Sequence, residues 1–144
     1  MIMNALLIDT SFLYALYNPD DSYHTDAIRF RFTRNTFRSV KIIIPLVILP
    51  EAGHLFLRDA GHQGLIQFLH NISTLGIPPE PSPLEDLQRA HQIMQAYSSA
   101  KFDLVDCCLM ALAERLDIRH ICTYDRRDFS IFRPRHCPYL ELLP

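Results

Sequence analysis

Apolar residues in this chain follow two rhythms. ALLI at 5–8, KIIIP at 41–45 and IRHICTY at 118–124 are short apolar, β-branched runs, the pattern of strands buried on both faces in a parallel sheet. Elsewhere the apolar positions recur at spacings of three and four, the repeat of a helix with one buried stripe. Leu104, Val105, Cys108, Leu109, Leu112, Ala113 and Leu116 are the clearest case. SFLYALY predicts a helix capped by Thr10 or Ser11 and ended before Asn18-Pro19. An arginine-rich helix is predicted from Ser22 to about Phe37, and another over LVILPEAGHLFLRDAG with Pro50 in its first turn. HQGLIQFLHNISTL is a further amphipathic segment, and GIPPEPSP a loop whose prolines oppose regular pairing. Ser82-Pro83-Leu84-Glu85 reads as a capping box opening a helix from Pro83 to about Ser99. The last segment, SIFRPRHCPYLELLP, suits an edge strand after Pro138.

Strands alternating with helices argue an α/β domain, with a mostly parallel central sheet and right-handed crossovers. A chain of 144 residues is the size of one domain, 1–144, and can bury a core without disulfides or metal staples. Its four cysteines form no CxxC knuckle, which points to buried reduced thiols and a cytoplasmic setting. The N-terminus lacks the basic start and cleavage site of a secretory signal, and no apolar run is long enough to span a membrane. A net charge of −2 excludes a globally basic nucleic-acid binder, leaving only local patches. One patch holds Arg29, Arg31, Arg34, Arg38 and Lys41; the other holds Arg126, Arg127, Arg133 and Arg135.

Charge changes the picture where acids meet strand ends. Asp9 follows the first strand and Asp125 the strand ending at Tyr124, and strand carboxyl ends are where open α/β sheets place their chemistry. Asp103 and Asp106 lie in the first turn of the helix at 104, and Glu51 near the start of another helix. Asp9, Glu51, Asp103 and Asp106 also have a plainer reading, as a cap or as a carboxylate stabilised by the helix N-terminus. If Asp9, Glu51, Asp106 and Asp125 converge, their repulsion calls for a cation. Mg²⁺ or Mn²⁺, hard ions with oxygen ligands, suit such a set and could promote attack of water on a phosphodiester. Arginines at the rim would then grip the flanking backbone.

Four pieces carry a resemblance: LLIDTSFLYAL, PLVILPEAGHLFLR, FDLVDCCLMALAERL and ICTYDRRDF, in that order over nearly the whole chain. In these the protein resembles PIN-domain proteins of the VapC toxin type, the nuclease half of type II toxin–antitoxin pairs. The resemblance implies a PIN-like three-layer α/β/α sandwich with a central sheet of about four to five strands. It implies a Mg²⁺- or Mn²⁺-dependent endoribonuclease with catalytic acids at Asp9, Glu51, Asp106 and Asp125. Asp9, Asp106 and Asp125 would be the metal ligands, supported by Thr10, Ser11, Asp103 and Thr123. RNA contacts would come from Arg29, Arg34, Arg126 and Arg127. It also implies an RNA substrate, commonly a transfer RNA in such families, a cognate antitoxin and a homodimer. Cys107-Cys108 departs from the pattern, standing where small residues are common.

Two other readings compete. A catalytically silent PIN-like module that binds RNA or protein would not bind Mn²⁺ and would tolerate acid-to-amide changes. A phosphomonoesterase with Asp9 as nucleophile would need a second acid two residues on, where the chain has Ser11.

Overall fold

The computed structural model describes residues 3–33 and 39–144. Four short strands form its sheet: β1 (Ala5–Ile8), β2 (Lys41–Ile43), β3 (His120–Cys122) and β4 (Glu141–Leu143). Their order is β2-β1-β3-β4, and every pairing is parallel. Leu6, Leu7 and Ile8 are essentially unexposed, as are Ile121 and Cys122, so the two central strands are covered on both faces. That burial is why their sequences are continuous and not alternating.

Helices supply the cover. They are α1 (Thr10–Tyr17), α2 (His24–Thr33), α3 (Ile48–Thr74), α4 (Leu84–Ala96), α5 (Leu104–Arg115) and α6 (Arg127–Ile131). One group packs through α1, which touches α2 and α3; the other packs through α5, which touches α4 and α6. Sheet and helices make an α/β/α arrangement whose core includes Phe12, Leu109, Met110, Phe129 and Phe132. Two ion pairs join α4 to α5. Arg89 binds Glu114 through Nε at 2.7 Å and Nη2 at 2.9 Å, and Arg115 binds the buried Asp86 through Nε at 2.8 Å and Nη2 at 3.1 Å. Among the described residues no helix is long and apolar enough to cross a membrane.

Local details depart from the sequence reading. The N-cap position of α1 is Asp9, not Thr10 or Ser11, and its side chain makes no capping bond. The capping box at Ser82 does not form either. Pro83 takes the N-cap position in an extended conformation, and its carbonyl accepts from the amides of Asp86 and Leu87. The helix ends at Ala96, short of Ser99. The two amphipathic segments at 46–75 are one run of helix broken at Gly61, whose φ of 68° a residue with a Cβ adopts only with strain. The proline loop does pair: Glu80 exchanges backbone bonds with Ile44 and Leu46, each 2.8 Å, extending β2 by an isolated parallel bridge. Prolines at 78, 79 and 81 flank Glu80, whose amide and carbonyl make these bonds. The predicted edge strand is β4, beside β3.

Candidate active site

The site is a consequence of strand register. Ile8 pairs with Cys122, and the Asp9 amide donates to the Cys122 carbonyl at 3.0 Å, so Asp9 and Thr123 leave the sheet side by side. The Thr123 hydroxyl donates to Asp9 Oδ2 at 2.6 Å, and Ser11 Oγ donates to the same oxygen at 3.2 Å. Ser11 Oγ in turn accepts the amides of Tyr124 at 2.9 Å and Asp125 at 3.2 Å. One hydroxyl thus ties the first turn of α1 to the chain leaving β3. Of the two candidates after Asp9, Ser11 is the one in the network; the Thr10 hydroxyl is buried without a hydrogen-bond partner.

Asp106 enters from α5. Asp103 caps that helix, its Oδ1 accepting the Asp106 amide at 2.7 Å, which assigns the two neighbouring acids different jobs. Asp103 is exposed and stabilises the helix end; Asp106 is 5% exposed. Burial first, then the charge of Asp9, then a hydrogen bond with Asp128 push the Asp106 carboxyl well above the usual range. Asp9 is raised to about 6, chiefly by burial, with the charge of Glu51 adding to it, while Thr123, the Thr10 amide and Ser11 pull it down. The charge of Asp9 therefore acts on Asp106 in a place where neither carboxyl is well solvated. Cys107, beside Asp106, is a free thiol pushed up to about 12 by burial, so it stays protonated.

The remaining predicted residues lie further out. Glu51 is half-buried in the first turn of α3, close enough for its charge to act on Asp9. Asp125 has its amide in the Ser11–Thr123 network and its side chain exposed. Arg29 is exposed on α2, whereas Arg34, like Arg38, lies outside the described residues. Arg127 bonds Asp128 at 2.6 Å and the Ala100 carbonyl at 2.7 Å, and Arg126 bonds the terminal Pro144 oxygen. Among the described residues no three His, Cys, Asp or Glu side chains are gathered as a ready ligand set for a metal ion.

One site residue escaped the sequence reading. Asp128 sits in RRD, which looks like a charged turn, yet it is 7% exposed and reaches Asp106. Phe129, fully buried next to it, is the signal that was available: an anchored aromatic draws its neighbour inward.

A family model of the PIN domain matches residues 6–133. The chain belongs to the PIN-domain family. No curated protein matches it in sequence. Among solved structures, this PIN domain is similar to VapC20 of Mycobacterium tuberculosis, a Sarcin-Ricin loop cleaving toxin. The TM-score is 0.76 at 20% identity, over 92% of this chain and 98% of that one. It is also similar to VapBC2 from Rickettsia felis bound to a DNA fragment from the promoter, with a TM-score of 0.64 at 13% identity, over 96% of each chain. At these identities the likeness speaks for the fold alone.

Proposed function

We propose that this PIN-domain protein is a divalent-metal-dependent endoribonuclease, the toxin member of a toxin–antitoxin pair. The observation that carries the reading is the pair of buried acids, Asp9 and Asp106, held at the carboxyl edge of the sheet at the expense of their ordinary ionisation. Unpaired buried carboxylates destabilise a fold, and their persistence is what a site built for an external cation would show. The donor chemistry fits Mg²⁺ or Mn²⁺. These ions take oxygen ligands and are commonly held by one or two carboxylates with water and substrate phosphate completing the shell, so a ready cage of three side chains is not required.

Asp9 and Asp106 would hold the ion, with Asp125 and Glu51 as the outer acids. When bound, the ion supplies Lewis acidity toward the phosphate and the attacking water. The chain's own contribution is orientation. Thr123 and Ser11 fix the Asp9 oxygen, Asp103 fixes the first turn that carries Asp106, and Asp128 steadies Asp106 from the other side. That VapC20 cuts the sarcin-ricin loop supports RNA as the substrate class, and the VapBC2 likeness supports a protein antitoxin as partner. A homodimer and a transfer RNA target remain part of the same proposal.

Cleavage of a labelled RNA with Mn²⁺, with EDTA, and by Asp9→Asn tests it. Loss of cleavage in EDTA and in a folded Asp9→Asn protein is expected. Full activity in EDTA would sink the metal mechanism. Absence of Mn²⁺ binding by calorimetry would favour the silent binding module.

A further inference from the structure

Three rings run from the core to solvent beside these acids. Phe12 is fully buried, and its ring lies 6.0 Å from that of Tyr124 with 22° between the planes. Tyr124 lies 4.2 Å from Tyr23 with 11° between the planes, a stacked pair, and Tyr23 ends the column 50% exposed. The middle ring is pinned at both ends. Its amide donates to Ser11 Oγ at 2.9 Å, and its hydroxyl donates to Asp26 Oδ2 at 2.7 Å. Ser11 is the same hydroxyl that bonds Asp9, and Thr123, which also bonds Asp9, immediately precedes Tyr124. The column is therefore fixed relative to the acids and one residue, about 3.8 Å of backbone, from their partner.

The chemistry of this end of the site suits a base better than a phosphate. Asp21 and Asp26 flank the column, Asp21 accepting the Tyr23 amide at 2.8 Å, and their charges would repel an anion. A flat, half-exposed ring instead offers a π-face, on which any unstacked base can stack regardless of sequence.

We propose that Tyr23, backed by Tyr124, is a stacking platform for the base of a nucleotide adjoining the scissile phosphate. The substrate is then looped or single-stranded RNA, in which such a base is free to leave its own stack. This rests on the endoribonuclease reading and assigns Tyr23 a positioning role within it.

The test uses the full chain with cleavage blocked by Asp106→Asn, in Mn²⁺, and a single-stranded RNA dodecamer carrying one 2-aminopurine at successive positions. Fluorescence quenching confined to one or two adjacent positions is expected. Adding Tyr23→Ala should abolish that quenching and weaken binding about tenfold, the effect of losing one stacked base, while Tyr23→Phe keeps both. A fully paired duplex of the same sequence should bind more weakly than the single strand. Position-independent or absent quenching, or a Tyr23→Ala protein that binds and quenches like its parent, overturns the platform, including the case in which Tyr23 serves a protein partner. Cleavage by the unmodified chain in Mn²⁺ is scored separately, so localised quenching without any cleavage would refute the nuclease reading and leave RNA stacking standing.

Discussion

Thr123 and Asp9, the residues that leave β3 and β1, share a hydrogen bond of 2.6 Å with at most 3% of either exposed to solvent. The bond favours the ionised carboxylate against the burial that opposes it. Thr123→Val keeps the shape and deletes the donor. A hydrogen bond to a charged group is worth ~1.5–3 kcal/mol, so the Asp9 titration in metal-free protein should move up by about one to two pH units. Carboxyl-carbon NMR reads this directly, and Mn²⁺ affinity near pH 6 should fall in parallel. An unmoved titration would mean that Ser11 and the Thr10 amide suffice.

The same acid should cost the empty protein stability. Burial holds Asp9 at about 6 against an ordinary 3.8, so between those values the native state binds the proton that the unfolded chain has released. Stability therefore falls as pH rises through that window and stays low above it. A shift of about two units corresponds to ~3 kcal/mol, part of which the lost Thr123 contact would cancel on substitution. Asp9→Asn should accordingly raise the melting temperature of metal-free protein at neutral pH, with the gain gone below about pH 3.8. Added Mn²⁺ should stabilise the parent and leave the variant nearly unchanged.

How far the sequence could be read follows from the range of the interactions. β1, β2 and β3 are legible because burial on both faces leaves a continuous apolar signature, and Asp9 is then placed by simple adjacency. The stripe of α5 is equally plain, and Asp103 as its cap is a local matter. What escapes is set by distant partners. Asp86 follows the predicted capping box and reads as an ordinary first-turn acid, but its carboxylate is claimed by Arg115, 29 positions away. Asp128 reads as a surface charge until Phe129 and Asp106 are seen to enclose its position. Arg126 and Arg127 read as a free basic rim, yet both are engaged within the chain.

Arg115 is the group whose removal should be felt most in the fold. Its guanidinium binds both oxygens of Asp86, which is 2% exposed, and also reaches Glu80 at 3.3 Å in the loop that bridges to β2. Arg115→Ala leaves a buried carboxylate without its partner, a change that typically costs ~3–5 kcal/mol. Urea unfolding should show a midpoint lowered accordingly. The doubly substituted Asp86→Asn, Arg115→Ala protein should recover part of that loss, because the stranded charge is gone. Equal stability of the two variants would show that Arg115 acts mainly by packing.

Asp128 offers the sharpest separation between a bystander and a member of the acid cluster. Its proximity and hydrogen bond both favour the protonated form of Asp106, while Arg127, at 2.6 Å, holds Asp128 itself in place. Asp128→Asn removes a like charge and supplies an amide that can donate to an ionised Asp106, so both changes push the Asp106 titration downward. In metal-free protein the NMR titration of Asp106 should shift to lower pH, and Mn²⁺ should bind more readily at mildly acidic pH. The cation then displaces the Asp106 proton at lower cost. Cleavage should tolerate this change far better than Asp106→Asn, since Asp128 acts through Asp106. Loss of cleavage as complete as in Asp106→Asn, with the fold intact, would instead place Asp128 among the acids that contact the ion or the phosphate.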